Sequence, residues 1–398
     1  MIASINMWVS KAFNTSILEK DRRVWIDYLR GIIIILVVYH HTFLGIGSSG
    51  IPVSKTVIDV NMAAYSFRMP LFFIFSGIFT GLSLSSKSVK AILKSKFNLI
   101  LYPYLIWSFL QITLKLFFAD YTNSDSTLSE YLYIFYQPKQ LAQFWYLPAL
   151  FNSTMIFVLI KSKFKITPGY HLLLGVLFFL AAPFVSNISM ISNWMRFYIF
   201  LVLGDNLSHF ILNEETKSRL KNIGYFLASL PFFIAAQYYY FNYIGVRSLE
   251  NDATSFALQT NFGFYVFNEL SFLLTSLVGC ATFILFAFLL EKWNRFKWLR
   301  LIGFHSLYIY IMHVIIVAFV RMVLTKFFGV DNYIIILITG IFFGVIIPVI
   351  FYNLLGKKYL WFLFSPKKYS SKEIKSKTNN RASEIRLRPL PTTQVNNI

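Results

Sequence analysis

Uninterrupted apolar runs of about twenty residues are the feature that most constrains this chain. A bilayer core of about 30 Å is crossed by about 20 helical residues, whereas a soluble fold offers no interior large enough to bury so many such runs. Hydrophobic residues make up 57% of the 398 residues and charged residues only 14%, against about 25% in ordinary soluble domains. A water-soluble enzyme, a coiled coil, a collagen and a disordered chain are therefore excluded.

The runs predict an all-α, polytopic integral membrane protein with about ten transmembrane helices. Continuous apolar runs indicate helices, because a transmembrane β-barrel would show alternating segments of about ten residues. The fifth predicted span is the shortest and contains Pro183. The predicted spans cover residues 30–48, 62–84, 98–118, 143–160, 170–186, 193–211, 222–241, 266–290, 302–325 and 333–353.

The distribution of Lys and Arg orients these helices. With a cytoplasmic N-terminus, the cytoplasmic segments carry 28 Lys and Arg and the outer loops carry four, which are Lys55, Lys139, Arg247 and Lys326. The positive-inside rule therefore predicts that both termini are cytoplasmic. It also accounts for the net charge of +20, so that the lipid bilayer, and not nucleic acid, is the expected partner of the basic segments.

The chain divides into three predicted segments, a cytoplasmic N-terminal segment (1–29), a membrane domain (30–356) and a basic tail (357–398). No cleavable signal peptide is visible in the first segment. The tail is rich in Lys, Ser, Asn and Pro and is expected to be disordered in the cytoplasm. The lone Cys280 leaves no intrachain disulfide and no Cys metal cluster, and no metal site is predicted.

Arg30 and His41 form the most informative pair of ionisable residues in the predicted spans. They are eleven residues apart, which puts them within about 20° of each other on one helix face and about 16 Å apart along the axis. Taken singly, Arg30 is expected to snorkel beside Asp27, and His41 to hydrogen-bond a neighbouring helix. Neither explanation accounts for the two residues together.

Two further ionisable residues are predicted to lie at a similar depth on other helices. Arg68 precedes Pro70 in the outer half of the second span, and His313 lies about 16 Å into the ninth span when counted from residue 302. A His in a partly dry pocket suits general-base work on a hydroxyl, and adjacent arginines suit an oxyanion. Together, Arg30, His41, Arg68 and His313 are the predicted catalytic residues.

Binding residues are predicted on both sides of this group. On the cytoplasmic side, Arg30, Lys94 and Lys96 suit a phosphate-bearing cosubstrate, although the lysines can equally well only fix topology. On the outer side, Trp145, Arg196 and Glu269 are candidates for substrate binding. Aromatic rings stack on sugars, and they also form interfacial belts.

At these residues the sequence resembles acyltransferase family 3, specifically its stand-alone membrane O-acetyltransferases of surface polysaccharide or O-antigen. The resemblance follows the order of the family's motifs from the first to the ninth span. The matching stretches are Asp27–Thr42, Arg68–Gly77, Leu99–Trp107, Phe144–Leu150 and Gly303–His313.

The resemblance implies an enzyme of the bacterial inner (plasma) membrane with no permanently bound cofactor. Cytosolic acetyl-CoA would bring its phosphates to Arg30, Lys94 and Lys96. His41 would act as general base or carry the acyl group transiently, and a saccharide or lipid-linked glycan would accept it. Arg68, Trp145 and His313 match family positions. His40 duplicates the imidazole of His41, and glycan-assembly proteins are possible partners.

Two other functions remain open from the sequence. A membrane transporter of a glycan precursor or acyl compound would also use intramembrane His and Arg residues, but the chain shows no inverted repeat and no paired broken helices. A scaffold for a glycosyltransferase would need none of the buried ionisable groups.

Overall fold

The computed structural model describes residues 9–19, 24–118, 127–164, 166–244 and 261–367, and within these ranges the chain forms helices and no strand. Each predicted span falls on one long helix, which confirms the all-α class. The long helices are α1 (Val24–Ser48), α2 (Lys55–Leu84), α3 (Tyr102–Phe117), α4 (Tyr146–Lys163), α5 (Pro168–Ala181), α6 (Ser189–Leu212), α7 (Ile223–Tyr239), α8 (Phe262–Trp293), α9 (Ser306–Met322) and α10 (Tyr333–Phe351).

Eight helical stretches of the described chain are long and apolar enough to cross a bilayer. The two long helices outside this set are α6, which carries Arg196 and Asp205, and α7, which has 17 residues and continues into a π-helical turn at Tyr240–Ile244. The protein is thus a polytopic membrane protein, and the count of ten spans stays a prediction.

Helix α1 lies at the centre of the bundle, packed against α2, α8, α9, α10 and the short helix Lys297–Phe304. Glycines allow the closest of these contacts. A Cβ at Gly303 would lie 1.8 Å from the Asp27 carbonyl oxygen, and a Cβ at Gly31 would lie 2.2 Å from that of Leu299. Because α1 is enclosed on several sides, its polar residues face other helices.

Helix α2 is the second central element and packs against α1, α4, α6 and α8. Its crossing with α6 is also close at glycines, since a Cβ at Gly77 would lie 1.9 Å from the Leu201 carbonyl oxygen and a Cβ at Gly204 would lie 2.0 Å from that of Ile74. Pro70 lies inside α2 without ending it. The neighbouring helices α1 and α2 therefore bring His40, His41 and Arg68 into one part of the bundle.

The end of the bundle that contains residues 85–96 is called the basic end below, because it carries the lysine-rich turn. The helix Val89–Lys96 lies there and continues through the π-helical turn Phe97–Leu101 into α3. At the same end, the 3-10 turn Trp361–Leu363 packs against α3. Tyr102 Oη donates to the Phe362 carbonyl oxygen at 2.6 Å, and Trp107 Nε1 donates to that of Leu363 at 2.8 Å.

Part of the predicted tail is therefore ordered, up to residue 367. Residues 368–398, where disorder was predicted, lie outside the described residues, as does Arg247 of the predicted outer loops. The shorter elements include the helices Glu130–Tyr136 and Glu214–Leu220 and the 3-10 turn Pro138–Trp145, which leads into α4. Short helical turns also lie at Thr15–Glu19, Ala182–Val185, Val323–Phe327 and Tyr352–Gly356.

Candidate active site

His41 of α1 and His313 of α9 face each other inside the bundle. Their ring centroids are 5.1 Å apart, and the ring of His40 lies 5.0 Å from that of His41. The predicted equal depth of His41 and His313 is thus confirmed. The three imidazoles form one contiguous group, contributed by two helices that pack directly on each other.

The hydrogen bonds of His313 fix its tautomer. Its Nδ1 lies 3.0 Å from the Ile309 carbonyl oxygen and 2.8 Å from that of Tyr310, so Nδ1 must be the protonated donor. Nε2 then carries the lone pair, is buried and has no hydrogen-bond partner. The residue is fully buried. His313 therefore presents an unpaired proton acceptor inside the bundle.

His41 differs from His313 in being partly exposed. Within the described chain its ring contacts the two neighbouring imidazoles and makes no hydrogen bond. Both of its ring nitrogens are consequently available to a bound molecule. A neutral imidazole with an available nitrogen is the form that accepts a proton from a hydroxyl.

Asn61 of α2 joins His40 to Arg68 and was missed in the sequence. Arg68 donates to Asn61 Oδ1 at 3.3 Å, and His40 Nδ1 lies 2.9 Å from the same oxygen. Since this oxygen accepts from the guanidinium, His40 Nδ1 is also a donor. Asn61 and Arg68 are 1% and 3% exposed. Asn61 is seven residues, or two helical turns, before Arg68, and this spacing could have predicted that the two lie on the same face of α2.

Tyr146 and Tyr310 extend the site from His313 toward Arg30. The ring of Tyr310 lies 6.0 Å from His313 and 5.3 Å from the ring of Tyr146 at the start of α4. Arg30 is half-buried on α1 and interacts electrostatically with Tyr146. Two tyrosines that sequence reasoning had not singled out therefore lie between two of the predicted catalytic residues.

Of the predicted outer substrate residues, Arg196 and Glu269 form an ion pair, and the ring of Trp145 lies 6.4 Å from that of Tyr146. Arg196 pairs with Glu269, and its guanidinium carbon lies 4.0 Å from the ring centroid of Phe179. Trp145 is half-buried, and its ring centroid lies 5.3 Å from that of Phe197. Phe197 directly follows Arg196 in the chain. Arg196 and Glu269 thus form a partly buried ion pair. Their role in substrate binding stays a prediction.

The two predicted donor-binding lysines have different surroundings. Lys94 is exposed and lines a groove of about 570 Å³ together with Lys90, Phe97 and Phe151. Lys96 is half-buried, and its Nζ lies 3.4 Å from Ser76 Oγ of α2. The groove at the basic end thus has an almost wholly apolar wall, to which Lys90 and Lys94 contribute.

His305 provides a contrast to the candidate histidines. Its Nδ1 lies 2.8 Å from the Leu301 carbonyl oxygen, and its Nε2 lies 3.0 Å from Asn353 Nδ2, which also donates to the Ala12 carbonyl oxygen at 2.9 Å. Both ring nitrogens are used in connecting the start of α9, the end of α10 and the N-terminal segment. His305 is accordingly a structural residue.

In the ranges that the structure describes, no group of three or more His, Cys, Asp or Glu is arranged to hold a metal ion.

Comparison with family models gives one match, to the acyltransferase domain of acyltransferase family 3, over residues 23–353. Comparisons with curated proteins and with solved structures give no match. The family match covers most of the chain and includes the whole imidazole group, and the chain therefore belongs to acyltransferase family 3.

Proposed function

We propose that this membrane acyltransferase transfers an acetyl group from cytosolic acetyl-CoA to a sugar hydroxyl of a cell-surface polysaccharide or of its lipid-linked precursor. O-antigen, capsule and exopolysaccharide are the classes of acceptor. The observation that carries the proposal is the contact between His41 and His313 within the bundle, with an unpaired nitrogen on His313 and no hydrogen bond on His41. Family membership favours acyl transfer over the transport of a glycan precursor.

The proposed reaction joins the sugar oxygen to the acetyl carbonyl carbon and breaks the bond from that carbon to the CoA sulfur. A neutral imidazole, His41 in the proposal, takes the hydroxyl proton as the new C–O bond forms. That proton then passes to the departing thiolate, so that the products are the sugar acetate and CoA thiol. His41 can alternatively carry the acetyl group between the two steps, as an acyl-imidazole.

Arg68 is the cation proposed to stabilise the developing oxyanion. It is buried, and Asn61 holds it beside His40. A guanidinium enclosed by protein stabilises a nearby anion more than one in water does, because the local dielectric constant is low. Arg30 is half-buried on α1 and is proposed to bind the donor nearer the basic end.

The donor is proposed to approach from the basic end. The groove offers the rings of Phe97 and Phe151 for an apolar or aromatic group, and the ammonium groups of Lys90 and Lys94 are proposed to bind the phosphates beside it. This end faces the cytosol if the positive-inside rule holds, as expected for the inner membrane of a bacterium. Glycan-assembly proteins are the proposed partners that would deliver the acceptor.

The test is release of CoA from acetyl-CoA by the purified protein in detergent, with and without a membrane glycan acceptor. We expect His41→Ala to lower the rate about 100-fold or more, in keeping with the loss of a general base. We expect His40→Ala to lower it less, since His40 Nδ1 is held by Asn61.

His209→Ala is the matched control. This imidazole is exposed at the end of α6, so we expect wild-type rates. Equal rates for wild type and His41→Ala would contradict the proposed catalytic role. Failure of the wild type to bind CoA, together with uptake of a glycan precursor by proteoliposomes, would favour the transporter.

A further inference from the structure

Among the residues that the structure describes, four buried polar atoms in the region of His313 have no hydrogen-bond partner. They are Ser108 Oγ, Gln143 Oε1, Tyr310 Oη and His313 Nε2, and their residues are at most 4% exposed. Tyr310 Oη approaches the backbone of Tyr146 without meeting hydrogen-bond geometry. Because proteins pair nearly all buried polar groups, these four unpaired atoms need an explanation.

The four residues belong to three elements that contact one another, namely α3, α9 and the turn Pro138–Trp145. Gln143 Nε2 donates to Gln111 Oε1 of α3 at 2.8 Å, which ties the turn to the helix and leaves Gln143 Oε1 unpaired. Ser108 is three residues before Gln111 and shares its helix face. Ser108 and Gln143 therefore occupy neighbouring positions on one side of the region.

The ring of Phe364 fixes the relative height of α3 and α9. It lies 5.5 Å from the ring of Trp107 on α3 and 5.4 Å from that of Tyr308 on α9. Gln111 is four residues beyond Trp107, and His313 is five residues beyond Tyr308, which is about 6 to 8 Å along each helix. The Gln111–Gln143 pair thus lies at the depth of His313.

The backbone immediately before Gln143 is strained. Ala142 has φ 52° and ψ −113°, a conformation that a residue with a Cβ rarely adopts, and it lies inside the turn Pro138–Trp145. Such strain persists where surrounding structure imposes it, and it concentrates at functional sites. Here it immediately precedes Gln143, whose buried amide is hydrogen-bonded to α3.

The chemistry of the unpaired atoms indicates a neutral ligand with several hydroxyls. Gln143 Oε1 and His313 Nε2 are acceptors, and the hydroxyls of Ser108 and Tyr310 both donate and accept. None of the four carries a charge, whereas a phosphate or carboxylate would need one. Aromatic rings lie beside these atoms: the ring centroid of Tyr146 is 5.3 Å from that of Tyr310.

We propose that Ser108, Gln143 and Tyr310 bind the ring of a neutral sugar acceptor, with one of its hydroxyls donating to His313 Nε2. This inference rests on the proposed function and names the place where its acceptor binds. The four atoms are enclosed in this structure, and entry of the sugar would require the turn Pro138–Trp145 to move outward. The backbone of this turn leaves helical geometry at Leu141 and Ala142.

The experiment measures CoA release from acetyl-CoA by the purified full-length protein over a series of concentrations of neutral methyl hexopyranosides. We expect Ser108→Ala and Gln143→Met to raise the KM for the sugar about tenfold or more, as for a lost buried hydrogen bond. Any change in the KM for acetyl-CoA should be smaller. Ser108→Ala should unfold at a temperature no lower than that of the wild type, because it removes only an unpaired buried atom. Gln143→Met also loses the hydrogen bond to Gln111 Oε1 and should unfold at a lower temperature, so Ser108→Ala carries the test.

Thr154→Val is the matched control, since Thr154 Oγ1 on α4 is equally buried and unpaired. It should unfold no earlier than the wild type and keep its KM for sugar. The inference is overturned if no sugar accelerates CoA release by the wild type, if Ser108→Ala saturates like the wild type, or if KM rises mainly for acetyl-CoA. Complete absence of CoA release from the wild type would instead contradict the proposed function.

Discussion

Asn61 accepts from the buried Arg68 and from the partly buried His40 through one side-chain oxygen, and this makes it the most testable single residue of the site. Asn61→Leu leaves Arg68 and His40 Nδ1 without their shared acceptor, which is expected to cost about 1–3 kcal/mol of stability. Asn61→Asp keeps an acceptor of the same shape and adds a partner for the guanidinium. Thermal unfolding in detergent should therefore show a lower midpoint for Asn61→Leu than for Asn61→Asp. Equal midpoints would show that the shared acceptor contributes little.

At the same scale, the sequence predicted the ionisable members of the site better than their partners. His41 and His313 could be found because a titratable group is rare in an apolar run, and counting residues along two helices gave the same depth. Asn61, Tyr146 and Tyr310 were missed because neutral polar residues are common in spans. Only contact between helices distinguishes the few that complete a site.

At the scale of elements, the glycine contacts between α2 and α6 set how closely these helices approach. In Gly204→Ala the new methyl would lie 2.0 Å from the Ile74 carbonyl oxygen, which is backbone and cannot turn aside. We expect a loss of about 1–3 kcal/mol or more from overpacking. Gly47→Ala on α1 is the control, since a Cβ there meets nothing within 4 Å. Equal unfolding temperatures for the Gly204→Ala and Gly47→Ala proteins would contradict this packing.

Hydropathy located the ten long helices of the described ranges, because each coincides with an apolar run, although only eight helical stretches there are long and apolar enough to cross a bilayer. It located their ends less well. Helix α1 begins at Val24, whereas the predicted span began at residue 30, since Trp25, Asp27 and Tyr28 are buried in the bundle rather than against lipid. The helix that packs against Gly77 or Gly303 is determined by the shape of both helix surfaces. The hydropathy pattern of a single sequence does not predict that pairing.

For the whole molecule, the orientation in the membrane decides whether the proposed chemistry has a donor. Lys90 and Lys94 line the groove at the basic end, and 28 of the 32 Lys and Arg counted outside the predicted spans fall on that side in the predicted topology. A cytosolic basic end puts the groove in contact with acetyl-CoA. An outward basic end would separate it from acetyl-CoA.

Cysteine labelling tests this orientation directly, because the single native Cys280 is buried and gives a low background. Thr56 and Ser86 are exposed at opposite ends of α2. When a membrane-impermeant maleimide reaches only the outer face of the inner membrane, it should label the Thr56→Cys protein. It should label the Ser86→Cys protein only after the membrane is permeabilised. The reverse pattern would place the basic end outside, and donor entry through the Lys90 and Lys94 groove would then be wrong even if the imidazole group itself is catalytic.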